Sequence, residues 1–270
     1  MKKQIARNVT LEYEDVGHGK PLVLLHGFPF SLQMWRPQAA SLQTRYRVIT
    51  PNLRGFGATD PFDGQPSVEQ MAEDVSGLLD MLGIKEPVVL GGLSMGGYVA
   101  LAFARHHADR LRGLILADTR AEADTAEGKA NRDKTIAFAQ THSAREVVEQ
   151  MLPRLLSERT RQQQPGVAEE ITNIAAAQSR TGIVGALQAM RDRPDSLPFL
   201  QNISVPAVVI VGQDDIVTPL VAAQNLVQGI GGAVLAVIPE AGHMSNLEQP
   251  RAFTEALETF LKTLKAKLIQ

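Results

Sequence analysis

Val88-Val89-Leu90-Gly91-Gly92-Leu93-Ser94-Met95-Gly96-Gly97-Tyr98-Val99-Ala100 is the stretch on which the fold turns. Pro87 and the apolar run Val88 to Leu90 read as a short buried strand, and Tyr98 to His107 reads as a helix. Gly92-Leu93-Ser94-Met95-Gly96 therefore falls on the turn between them. A serine forced into a tight strand-to-helix turn has strained dihedrals, and glycines two residues to either side remove the Cβ atoms that would clash as the helix packs back. In that context G-x-S-x-G spacing holds the Ser94 hydroxyl at the C-terminal edge of a sheet. It lies beside a helix N-terminus, whose free N–H groups favour developing negative charge. The plainer reading is a glycine-rich turn with a solvent-facing serine. A phosphate loop is excluded, because no G-x-x-x-x-G-K-[ST] run is present.

Outward from this turn, strand and helix signals alternate. Thr10 to Val16 alternates apolar and polar residues as a half-solvated strand does. Leu22 to Leu25 is continuously apolar, which implies burial on both faces and hence a parallel sheet covered by helices. Arg47 to Thr50, Leu114 to Ala117, Ala207 to Val211 and Ala233 to Val237 supply further strands. Ser67 caps a helix through Leu82, with Gln70 at capping-box spacing and Met71, Val75, Leu78, Leu79 and Leu82 on one stripe before Gly83. From Arg251 to Leu268, Phe253, Leu257, Phe260, Leu261 and Leu264 share one helical face that docks on the sheet. The pattern predicts an α/β fold, a mostly parallel doubly wound sheet with right-handed crossovers.

Between residues 120 and 200 the strand signals vanish. Val147, Val148, Met151 and Leu155 make one helical stripe, Val167, Ile171, Ile174 and Ala175 a second, and Ile183, Val184, Leu187 and Met190 a third. The expected organisation is a core of residues 1–119 and 201–270 with a helical lid, 120–200, inserted between sheet strands. Insertions at the C-terminal edge of such a sheet lie over its site. Met190 and Phe138 are candidates to line the pocket, although packing alone accounts for each. The arginines of the insertion read as surface residues, and a roof of aliphatic stripes predicts a small, largely apolar substrate.

The chain has 270 residues, 44% of them hydrophobic, and a formal charge of −2, which provides no basic field for nucleic acid. It contains no cysteine, which excludes disulfides, thiolate metal sites and a cysteine nucleophile, and fits a reducing, cytoplasmic setting. After Met1-Lys2-Lys3, the residues Gln4, Arg7, Asn8 and Glu12 leave no apolar signal region, so the start is expected to be unprocessed. No run approaches 18 apolar residues, so no membrane span is expected.

A serine needs a base, and histidine suits that work near neutrality. Of six histidines, His243 in the loop Pro239 to Asn246 follows the last strand and so shares the sheet edge with Ser94. His26 is expected to brace the turn after Leu25 instead. The acid that orients His243 is read as Asp215, with Asp214 a capping or solvated neighbour and Asp118 in reserve. Donors for an oxyanion are expected from the backbone N–H groups of Met95 and Phe28; Pro29 has none to offer.

Taken together, His26-Gly27-Phe28-Pro29, the loop Asn52 to Asp60, Gly92 to Gly97, Gly212 to Pro219 and Ala241 to Pro250 resemble the serine-hydrolase branch of the α/β-hydrolase superfamily. Within it the chain is similar to small bacterial carboxylesterases and β-ketoadipate enol-lactone hydrolases. The resemblance implies a triad of Ser94, His243 and Asp215 and hydrolysis of esters or lactones, with no cofactor and no metal. It argues against haloalkane dehalogenases and epoxide hydrolases, which carry aspartate where Ser94 stands. Perhydrolases, carbon–carbon bond hydrolases and hydroxynitrile lyases share the same triad and stay open, as does a ligand-binding protein on this fold.

Overall fold

The computed structural model describes residues 2–6 and 9–266, with side chains from Val9 to Leu264. Met1, Arg7 and Asn8 of the expected unprocessed start, and Lys267 and Leu268 of the expected last helix, lie outside the described residues. Eight strands form one sheet: β1 Lys2–Ala6, β2 Val9–Val16, β3 Lys20–Leu25, β4 Tyr46–Pro51, β5 Val88–Leu93, β6 Leu111–Ala117, β7 Ala207–Gly212 and β8 Val234–Ile238. Their order is β1-β2-β4-β3-β5-β6-β7-β8. Only β2 runs against its neighbours. Every pairing from β4 to β8 is parallel, as the continuous apolar runs predict.

The helices around this sheet are α1 Arg36–Leu42, α2 Val68–Met81, α3 Met95–His106, α4 Ala126–Thr141, α5 Ala144–Leu155, α6 Glu158–Gln163, α7 Pro165–Ala176, α8 Arg180–Asp192, α9 Leu220–Gly229, α10 Ser245–Glu248 and α11 Pro250–Ala266. The buried side chains of α2, α3 and α9 pack on one face of the sheet. Those of α1 and α11 pack on the other. All five apolar residues of the α11 stripe are buried, each contributing about 2 kcal/mol of transfer free energy. Ser67 does cap α2, its hydroxyl accepting from the Gln70 N–H at 3.1 Å. The reciprocal half of the expected capping box is absent, because the Gln70 amide donates to the Asp63 carbonyl instead.

The stretch around Ser94 is tighter than its sequence suggests. Strand β5 continues through Gly91, Gly92 and Leu93, and α3 opens at Met95, so Ser94 alone makes the turn. It does so at φ 54°, ψ −112°, a left-handed conformation that costs an L-residue about 1–3 kcal/mol and persists only where its surroundings over-determine it. Two flanking glycines permit it. A Cβ on Gly92 would lie 2.1 Å from the Gly96 carbonyl oxygen, and one on Gly96 would lie 2.3 Å from that of Leu25. With both absent, α3 can pack directly against the ends of β3 and β5.

Five helices, α4 to α8, separate β6 from β7, although those two strands are sheet neighbours. Three of the five follow the apolar stripes read from sequence. Helices α4 and α6 were not foreseen, since neither carries such a stripe. The insertion straddles the sheet edge: buried residues of α4 and α8 join the core on one face, and those of α7 join the core on the other. Within α5, Val147 belongs to the first core and its neighbour Val148 to the second. Contacts to loops at the C-terminal ends of strands fix its position. The Leu155 carbonyl accepts from the His243 N–H at 3.0 Å, and Gln178 accepts from the Gly57 N–H at 2.8 Å. No helix among the described residues is long and apolar enough to cross a membrane.

Candidate active site

Five of the strand ends converge on one cavity of about 370 Å³, lined by Phe28 after β3, Ser94 after β5, Arg120 after β6, Val217 after β7 and His243 after β8. Parallel strands place their C-terminal loops on one edge, so residues more than 200 positions apart in the chain share this wall. The insertion closes the opposite side.

Asp215 is 4% exposed and its carboxylate is fully engaged. One oxygen accepts from the N–H groups of Val217 and Thr218 at 2.7 and 2.9 Å. The other accepts from the Thr218 hydroxyl at 2.6 Å and from His243 Nδ1 at 2.8 Å. Burial alone would raise its pKa; the charge and hydrogen bond of His243, with the bonds from Thr218, outweigh burial and hold it below the usual carboxylate range. Because Nδ1 is occupied, Nε2 is the ring nitrogen of His243 left for chemistry. Asp214 is exposed, in keeping with a solvated neighbour.

Asp118, the reserve acid, does not touch His243. It is fully buried at φ 42°, accepting from the Gly212 N–H at 2.8 Å and from the Ser245 hydroxyl. Burial, and then the negative charge of Asp215, push its carboxyl well above the usual range. It therefore ties the end of β7 to the loop that carries His243.

The Ser94 hydroxyl neither caps α3 nor makes any other hydrogen bond among the described residues, and it shares the cavity wall with His243. The Met95 N–H is the first of α3 and so has no intrahelical acceptor. Among the described residues the Phe28 N–H also finds none.

His26 braces the turn that carries Phe28, as expected. Its Nε2 accepts from the Leu53 N–H at 2.9 Å and its Nδ1 donates to the Gly27 carbonyl at 3.0 Å, so the imidazole must be neutral. Its ring meets Phe56 edge-on at 4.9 Å. Burial lowers its pKa from an ordinary 6.5 to about 4. A depressed histidine pKa means that the unfolded chain takes the proton first, so this stability is complete above pH 6.5 and lost as pH falls towards 4. The expected loss across that window is about 3 kcal/mol. Urea midpoints measured between pH 7 and pH 4 should show it, and His26→Asn should remove that share of the pH dependence.

Most of the insertion's arginines are exposed or half-buried, as expected, but Arg193 corrects that reading. Arg193 is 4% exposed, pairs with Asp124 at 2.8 Å and lies 4.0 Å over the Tyr98 ring. Arg132 and Arg154 line the cavity. Their positions follow helical spacing: Val147, Gln150, Met151, Arg154 and Leu155 form one face of α5, and Gly128, Asn131, Arg132 and Thr135 one face of α4. The signal was present as polar residues continuing an apolar stripe. Met190 lines the cavity; Phe138 does not, and stacks on His142 at 3.7 Å. The expected aliphatic roof is thus a mixed wall.

The fold recurs in known proteins. The sequence pattern of the alpha/beta hydrolase fold matches residues 20–250. A 3-oxoadipate enol-lactonase of Acinetobacter baylyi is 31% identical over 259 residues, 95% of each chain. Among solved structures, a thermophilic esterase from Thermogutta terrifontis, described with malate bound, superposes with a TM-score of 0.93 at 40% identity, covering 97% of this chain and 98% of its own. The enol-lactonase from Burkholderia xenovorans superposes with a TM-score of 0.89 at 30% identity, covering 97% and 100%. With its elbow serine, parallel sheet and matched span, the chain belongs to the α/β-hydrolase fold family.

Proposed function

We propose that the chain is a serine hydrolase of carboxylic esters or lactones, working through an acyl-enzyme on Ser94. The observation that carries this reading is a buried histidine, bonded through Nδ1 to a carboxylate, on the same cavity wall as a serine held in a left-handed turn. His243 Nε2 takes the Ser94 proton as the hydroxyl attacks the carbonyl, and Asp215 keeps the imidazole in the right tautomer and stabilises its cation. The N–H groups of Phe28 and Met95 hold the tetrahedral oxyanion; removing one such donor typically costs about 3–4 kcal/mol of barrier. His243 then protonates the leaving alkoxide, and water releases the acyl group by the same steps in reverse. Catalytic hydrogen bonds in ligand-free enzymes are commonly long and tighten in the Michaelis complex, which accommodates the unbonded Ser94 hydroxyl. The helical insertion serves as the cap that shapes the substrate pocket. The lactonase and esterase names of the relatives support this substrate class.

A fluorophosphonate probe tests the reading. It should label the folded protein at one residue, Ser94, located by mass spectrometry of the tryptic peptide. A folded protein that the probe leaves unmodified defeats the proposal.

A further inference from the structure

We infer that the chain forms a two-fold dimer in which edge strand β8 pairs antiparallel with β8 of a second copy, an assembly independent of the hydrolase reading above. Between Ile216 and Pro239 the chain carries no charged residue and no histidine, although 21% of its residues are charged overall. This run is not interior. It takes in part of the loop after β7, helix α9 and strand β8, and eighteen of its 24 residues are exposed or half-buried. Among the described residues, every large apolar side chain that is exposed lies from Leu197 to Val237. Six of the seven fall inside the uncharged run: Ile216, Leu220 and Val221, and on β8 Val234, Leu235 and Val237. The seventh, Leu197, opens a short 3-10 turn packed on α9.

The backbone of this face asks for a strand. Strand β8 ends the sheet, so no strand lies on its outer side among the described residues. The Ile238 carbonyl accepts from the Gln213 N–H on the β7 side. The alternate residues Leu235 and Val237 therefore turn their N–H and C=O groups outward. Edge strands are commonly protected from pairing by lysine, proline or a bulge. At the opposite edge, β1 begins with Lys2 and Lys3. Strand β8, Val-Leu-Ala-Val-Ile, has no such residue and pairs with β7 in unbroken register.

Charge and size both select a second copy. About a two-fold axis a surface meets itself, so any charge near its centre faces its like; an uncharged face escapes that repulsion. A standard interface takes about 20–30 residues a side, and the eighteen here, with Leu197 and its turn, reach the lower end of that range. A lipid surface fits less well. Faces that lie on membranes combine apolar residues with Lys, Arg and aromatic side chains, and the run from Ile216 to Pro239 contains none of these. Pairing through β8 covers the unprotected edge of both copies and leaves the lysine-bearing β1 at each end, so assembly stops at two.

Sedimentation velocity of the full chain at micromolar concentration tests this. The expected species has twice the 29.3 kDa of one chain; a monomer throughout overturns the inference. Val234 is 53% exposed and starts β8, at the opposite end of the strands from Ser94. Val234→Lys should raise the dimer dissociation constant at least about a hundredfold, because the two-fold brings the charge in twice. A dimer that survives this change uses another face and refutes the inference. The chain has no cysteine, so Val237→Cys places a single thiol on each copy. A short bismaleimide should join two such chains, and failure to do so refutes β8 pairing even where the lysine variant does not fold. Binding of a monomer to phosphatidylcholine vesicles would assign the patch to a membrane instead and overturn the dimer.

Discussion

Ser94→Ala is expected to lower kcat on any ester the protein hydrolyses by about a millionfold, the scale on which nucleophile loss disables a serine triad. The residual rate should be what positioning and the N–H donors supply alone. Stability should change little, because the serine hydroxyl makes no hydrogen bond among the described residues and its removal orphans no partner. Alanine keeps the same Cβ, so the left-handed turn is neither relieved nor worsened. A variant with an unchanged thermal midpoint and more than about one per cent of parental kcat would exclude Ser94 as the nucleophile.

Asp215→Asn is the second large effect, about ten-thousandfold in kcat. The carboxylate accepts from His243 Nδ1 on the oxygen that also accepts from the Thr218 hydroxyl. An asparagine can keep the backbone bonds from Val217 and Thr218 only by turning its amide NH2 towards Nδ1. That group donates, so the imidazole must switch tautomer and present an N–H to Ser94 in place of a lone pair. Asp118→Asn provides the contrast. Asp118 bonds Gly212 and Ser245 but not His243, so its replacement should cost far less in kcat. The reverse ranking in steady-state assays would transfer the acid role to Asp118.

What could be read from sequence was whatever faced a core. The parallel strands, the α2 stripe and α11 declare themselves because burial on both faces of a strand, or along one face of a helix, forces an apolar period. The candidate residues Ser94, Asp215 and His243 could be picked out because each lies in a loop that follows a strand and whose turn chemistry is distinctive. The bounds at Ser94 were not, since Gly91 and Gly92 look like turn residues but are absorbed into β5 where α3 presses close. Helix α4 escaped notice because one of its faces lines a cavity with Gly128, Asn131, Arg132 and Thr135, which produces no apolar period. Arg193 looked like a surface residue because its partner Asp124 is 69 residues away in the chain, and such a pairing leaves no local trace.

The helical insertion between β6 and β7 also has a consequence for how the molecule is assembled. Strands β1 to β6 end at Ala117 and are neighbours throughout, so the serine's half of the site can form from a contiguous first segment. Strands β7 and β8, with Asp215 and His243, can join only after the chain from 118 to 206 has looped back. Closing so long a loop costs little in equilibrium stability but delays the contacts that depend on it. As the polypeptide leaves the ribosome, the turn that holds Ser94 can form before the final strand docks and brings His243 to the same cavity wall.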